Sequence, residues 1–159
     1  MVFMEYFDTP YYYASPLGTL AIHIEDGHIT QLYFSDAPAS TAPVTSETLH
    51  HCITQCDEYF SGHRHMFDLP LQPRGTDFQV LVWKELLRIP HGQTTHYGEI
   101  ARRLGKPLSS RAIGQACNKN PILLIIPCHR IIGKNKALTG YRGGVEKKSW
   151  LLSFEKLAS

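Results

Sequence analysis

Apolar and polar positions alternate between residues 11 and 34, and turn residues interrupt the alternation twice. Pro16, Leu17 and Gly18 form a turn before one strand near residues 19–24. Asp26-Gly27, a strong two-residue hairpin signal, separates it from a second strand near residues 29–34. Residues 35–46 carry Pro38, Pro43 and many small side chains and read as loop. The period then changes. Leu49, Cys52, Ile53, Cys56 and Phe60 recur at helical spacing, which predicts a helix with both cysteines on its buried face. Residues 69–75, LPLQPRG, read as a linker.

Beyond the linker the pattern is helical. Thr76 and Gln79 have capping-box spacing and start a helix to about residue 88, with Phe78, Val82, Leu86 and Ile89 on one face. A short helix follows over residues 97–104, then a turn at Gly105, Lys106 and Pro107. Ser109 or Ser110 is placed to cap a further helix to about residue 119. Two short helices joined by a glycine-containing turn suggest helix-turn-helix geometry. Asn120-Pro121 stops the second of them. Residues 122–126 are expected to form a buried extended run that ends at Pro127. A loop with Lys134, Asn135 and Lys136 leads to the last helix, from residue 145 to about 157, whose expected buried side chains are Trp150, Leu151, Phe154 and Leu157.

A chain of 159 residues suits one ordinary domain or two small ones. The linker divides it into residues 1–73 and 74–159. No apolar run approaches the roughly 20 residues that span a bilayer, and the N-terminus lacks the order of a signal peptide. Four irregularly spaced cysteines do not make a disulfide framework. The expectation is a soluble cytoplasmic protein with reduced thiols. Its overall charge of +2 hides a division. Residues 1–75 hold two basic and nine acidic side chains, and residues 76–159 hold fourteen and five. A basic second half points to a polyanion partner, against the alternative of an ordinary solvated surface.

Candidate chemistry lies in ILLIIPCHRII, residues 122–132, where Cys128, His129 and Arg130 sit between two apolar runs. Buried polar groups are costly unless paired. A cysteine beside a histidine suggests an activated thiolate, and an inert buried cysteine is the bland alternative. In a regular strand the two side chains point to opposite faces, so they cooperate only if the chain bends, which Pro127 favours. The imidazole needs an orienting partner. Carboxylates are scarce in this half, and Glu155, beside the apolar face of the last helix, is the best candidate. His50, His51, Cys52 and Cys56 straddle two helix faces, which favours buried free cysteines over a metal site.

These residues carry a family resemblance. The chain resembles the O6-alkylguanine-DNA alkyltransferases in P-C-H-R at 127–130, R-A-I-G at 111–114, N-P at 120–121, Y-R-G-G at 141–144 and GQTTHYGEIARRLG at 92–105. The resemblance is clear from about residue 75 to 157 and looser before. It implies an N-terminal α/β domain with a small antiparallel sheet, ribonuclease H-like. It also implies a C-terminal helical domain with a winged helix-turn-helix-like DNA-binding element. The implied activity is single-turnover DNA repair, in which Cys128 accepts the alkyl group from an O6-alkylguanine flipped out of the duplex.

The implied roles follow residue by residue. His129 acts as base through a water, Glu155 holds the imidazole, and Asn120 ties the cysteine loop to the recognition helix. Tyr97 contacts the guanine and supports the departure of its O6. Arg111 fills the gap in the base stack, with Ser110 and Lys134 as further DNA contacts. Ile131 and Arg142 hold the guanine through backbone groups, so the Arg142 side chain is expected to matter little, and Tyr141 walls the pocket. Cys117 is expected to pack as a small apolar residue. No cofactor and no metal are expected. The implied partner is double-stranded DNA containing O6-alkylguanine, with O4-alkylthymine as a further candidate, and the implied state is a monomer. A reader of alkylated DNA without transfer, or a thiol hydrolase, is the competing class. The reader needs no cysteine, and the hydrolase leaves the basic half and Arg111 unexplained.

Overall fold

The computed structural model describes residues 9–106, 109–134, 137–138 and 140–158. The chain divides into two compact units, one running to Pro73 and the other starting at Arg74.

The first unit is built on an antiparallel meander of β1 (Tyr11–Ser15), β2 (Gly18–Glu25) and β3 (His28–Ser35) in that order. Its tight turn is the Asp26-Gly27 pair. Both residues have positive φ, 48° and 74°, as the right-handed twist of a hairpin requires. Leu20, Ile22, Ile29 and Leu32 are buried. Helix α1 (Glu47–Phe60) packs on β1 and β2, and the Ser46 hydroxyl accepts from the Leu49 N–H at its start. Cys52, Cys56 and Tyr59 form its buried face, while His50 and His51 are exposed. Part of the expected linker is structured. Ile29 N–H donates to the Pro70 carbonyl and Gln72 N–H to the Ile29 carbonyl, both at 2.8 Å, so Leu71 lies parallel to the start of β3.

The second unit opens on α2 (Asp77–Leu86) with the full capping box. Gln79 N–H donates to the Thr76 hydroxyl at 3.1 Å, and Thr76 N–H to the Gln79 side-chain oxygen at 3.0 Å. Trp83 is buried here, and its indole N–H donates to the Ala116 carbonyl at 2.9 Å. A Cβ on Gly75 would overlap the Trp83 ring, so only glycine fits there. Strand β4 (Thr95–His96) pairs in parallel with β5 (Ile131–Ile132). This short ladder places the residue after β4, Tyr97, near the chain that leaves the cysteine motif. Helices α3 (Tyr97–Arg103) and α4 (Ser110–Asn118) form the helix-turn-helix pair, and α5 (Val145–Ala158) closes the unit. Pro107 of the turn, and Asn135 and Lys136 of the basic loop, lie outside the described residues. No helix among the described residues is long and apolar enough to cross a membrane.

Three expectations change. Residues 122–126 are buried but turn rather than extend, with Leu124 at φ 72° and Ile126 N–H bonded back to the Ile122 carbonyl. A buried strand needs a partner for its backbone groups, and β5 pairs only at its two residues. The Asn120 side chain supplies the missing partners instead, accepting from Ile122 N–H and donating to the Ile126 carbonyl. Neither serine caps α4 through its side chain. The inward face of α5 is Lys148, Leu151 and Glu155, while Leu157 is 87% exposed and Trp150 stacks half-buried on Phe154.

Candidate active site

Pro127 ends the turn, and Cys128–Arg130 form a single 3-10 turn that enters β5. In that bend consecutive side chains no longer point to opposite faces, as they would in a strand. Cys128, His129 and Arg130 are all buried.

Glu155 of α5 is fully buried and completely engaged. Arg130 grips it with two bonds, Nε to Oε1 at 2.8 Å and Nη2 to Oε2 at 2.9 Å. His129 Nε2 lies 2.8 Å from Oε2, and Gly92 N–H approaches Oε1 at 3.4 Å. Arg130 Nη1 also donates to the Ile89 carbonyl at 2.7 Å. Burial alone would raise the Glu155 pKa, but the bonds from His129 and Arg130 outweigh it and hold the carboxyl well below the usual range. An ionised carboxylate only accepts, so the proton on His129 sits on Nε2. Burial lowers the His129 pKa, against the pull of Glu155, and keeps the ring neutral. Nδ1 is therefore a basic lone pair, buried and without a hydrogen-bond partner among the described residues.

The sulfur is held by Asn120. Its Nδ2 donates to Cys128 Sγ at 3.1 Å and to the Ile126 carbonyl at 2.9 Å. Burial pushes the Cys128 thiol up to about 11, although the Asn120 bond and the nearby Lys148 and Arg142 charges pull it down. The resting sulfur is thus a neutral thiol, whereas the sequence suggests a thiolate. Lys148, 1% exposed, carries the charge that also acts on Cys117. The Cys117 thiol is buried and shifted upward, in keeping with an apolar packing role.

The structure brings Cys128, His129, Asn120 and Glu155 together, with Ile131 buried just beyond them. Tyr141 is buried with its ring edge-on to His129, centroids 6.3 Å apart, and its hydroxyl has no hydrogen-bond partner among the described residues. Tyr97 begins α3, and its ring packs across Gly114 of α4. Arg111, Gln115 and Asn118 form the exposed stripe of α4, with Ser110 half-buried at its start. Lys134 is exposed after β5. The sequence singled out Arg130 without a role for it, and gave no sign of Lys148 or of the Arg142 side chain, whose Nη1 donates to the Asn120 carbonyl at 2.5 Å. Lys148 was accessible in principle, since 148, 151 and 155 share one helical face.

Comparison with known proteins agrees across the whole chain. Residues 77–157 match the family model for the 6-O-methylguanine DNA methyltransferase DNA binding domain. Residues 11–73 match that for its ribonuclease-like domain. The constitutive methylated-DNA–protein-cysteine methyltransferase of Bacillus subtilis is 41% identical, over 98% of each chain. The enzyme of Methanosarcina acetivorans is 40% identical over 91% of this chain and 97% of its own. The crystal structure of Mycobacterium tuberculosis OGT in complex with DNA superposes with a TM-score of 0.82 at 41% identity, covering 93% of this chain and 92% of that one.

Proposed function

We propose, from the premise that this chain belongs to the 6-O-methylguanine DNA methyltransferase family and repairs DNA by transferring an alkyl group to a cysteine of its own, that Cys128 is the acceptor and that O6-alkylguanine in duplex DNA is the donor. The carrying observation is the buried pairing of two bond sets on consecutive residues, Asn120 to Cys128 Sγ and His129 through Glu155 to Arg130.

O6 lies on the pairing edge of guanine, so a buried sulfur meets its substituent only after the nucleotide leaves the stack. The exposed stripe of α4 with Arg111 supports a role in holding the duplex and filling the vacancy, with Ser110 and Lys134 beside it as further contacts. In the reaction an S–C bond forms as the C–O6 bond breaks. The thiol proton passes to Nδ1 of His129, by way of a bridging water, and finally to the departing guanine. The hydrogen bond from Nε2 to Glu155 stabilises the imidazolium, and Arg130 keeps Glu155 ionised. Tyr97 donates to the leaving guanine. Ile131 and Arg142 backbone groups hold its edge and Tyr141 closes one side. The product is a thioether, which thiol exchange cannot reverse, so each molecule acts once. The reading includes a monomer as the working form, the cytoplasm as its compartment and residues 74–159 as the part that carries the chemistry.

The test compares wild type with Cys128→Ala on a duplex carrying radiolabelled O6-methylguanine. The expected result is no label on the variant and unchanged affinity for the duplex. Label retained by the variant would refute the assignment.

A further inference from the structure

We infer that Arg142 is a specificity-determining residue: its side chain ties the Tyr141 wall to the Asn120 hinge and so limits the size of the alkyl group that Cys128 accepts. The inference rests on the function proposed above and deepens it.

Asn120 is the common anchor. Its side chain bonds the sulfur at 3.1 Å, and its backbone carbonyl accepts from Arg142 Nη1 at 2.5 Å. Its own N–H bonds back to the Cys117 carbonyl, so the anchor is continuous with the end of α4. A cation at a helix C-terminus faces the carbonyl end of the dipole, and a charged donor makes the stronger kind of hydrogen bond. The tie therefore spans 22 residues of sequence and joins the residue that holds the sulfur to the residue beside Tyr141.

The wall is the residue next to Arg142. Tyr141 is 6% exposed and stands edge-on to His129. The loop has a second approach to α4 at Gly140, where an added Cβ would lie 3.5 Å from the Asn118 side-chain oxygen. Gly144 N–H bonded to the Tyr141 carbonyl makes the turn into α5. Of these contacts, the Arg142 bond is the one that fixes the distance from the wall to the Asn120–Cys128 pair. On this reading an alkyl group larger than methyl presses on the Tyr141 ring, and the tie resists its retreat.

The test measures second-order rate constants for transfer to Cys128 from duplexes carrying O6-methylguanine or O6-benzylguanine. Wild type, Arg142→Ala and Arg142→Lys are compared. The expected benzyl-to-methyl ratio rises about tenfold in Arg142→Ala, the scale of losing one charged hydrogen bond. Arg142→Lys, which keeps a cationic donor, is expected to stay near the wild-type ratio. A fold defect, or a role for Arg142 in gripping phosphate, lowers both rates together. An unchanged or smaller ratio in Arg142→Ala therefore overturns the inference. Failure of the functional reading is seen separately, as absence of methyl transfer by wild type.

Discussion

Burial pushes the Cys128 thiol up to about 11, so at neutral pH the resting sulfur is almost entirely the neutral thiol. A rate that depended on resting thiolate would be correspondingly slow. The chemistry instead needs a base that accepts the proton as the carbon is attacked, and a donor that stabilises the departing guanine. The Nδ1 of His129, without a hydrogen-bond partner among the described residues, suits the first role. Tyr97 is assigned the second, and Tyr97→Phe is expected to slow methyl transfer at least about tenfold in single-turnover measurements. Undiminished transfer would remove Tyr97 from the mechanism. At this scale the sequence was informative where a residue's placement depends on its chain neighbours. Cys128, His129 and the break at Pro127 were legible in that way. Glu155 was found because carboxylates are scarce in the second half. The Arg130–Glu155 and Arg142–Asn120 contacts cross 25 and 22 residues and depend on packing that no local pattern records.

Among the elements, the hairpin and α2 formed as their turn and cap residues require. The Thr76–Gln79 capping box was legible because both its bonds lie within four residues. Thr76→Ala removes the side-chain acceptor and is expected to cost about 1 kcal/mol in urea denaturation. No measurable loss would mean that the Trp83–Ala116 bond alone fixes α2. The run at 122–126 was misread because apolar composition does not distinguish a strand from a turn. The deciding fact is the Asn120 side chain, which replaces a missing neighbour strand. The inward face of α5 was misread for a related reason. Hydrophobic residues mark a buried helix face, but here two charged residues, Lys148 and Glu155, occupy it, and Glu155 is held there by His129 and Arg130.

Across the whole molecule, the basic second half coincides with the unit that carries the cysteine and the exposed α4 stripe. The same buried groups set its dependence on pH. His129 has a lowered pKa when folded, so below about pH 6.5 the unfolded chain binds a proton that the folded chain refuses, and stability falls with pH. Glu155, depressed when folded, adds a further loss as pH drops below about 4.3. Cys128, raised when folded, acts at the other end. Above about pH 8.5 the unfolded thiol ionises first and stability falls toward the folded value of about 11. Thermal denaturation is expected to show greatest stability between these limits, with a shallower alkaline fall in Cys128→Ala. An alkaline fall of equal steepness in that variant would contradict the assignment. The central claim is that one sulfur takes the alkyl group and keeps it. The direct measurement is the mass of the Cys128 peptide after the protein meets excess duplex containing O6-methylguanine. The expected result is a gain of one CH2 on that peptide, one per protein molecule, with no further turnover. An unmodified Cys128, or repair of many lesions by each molecule, would contradict it.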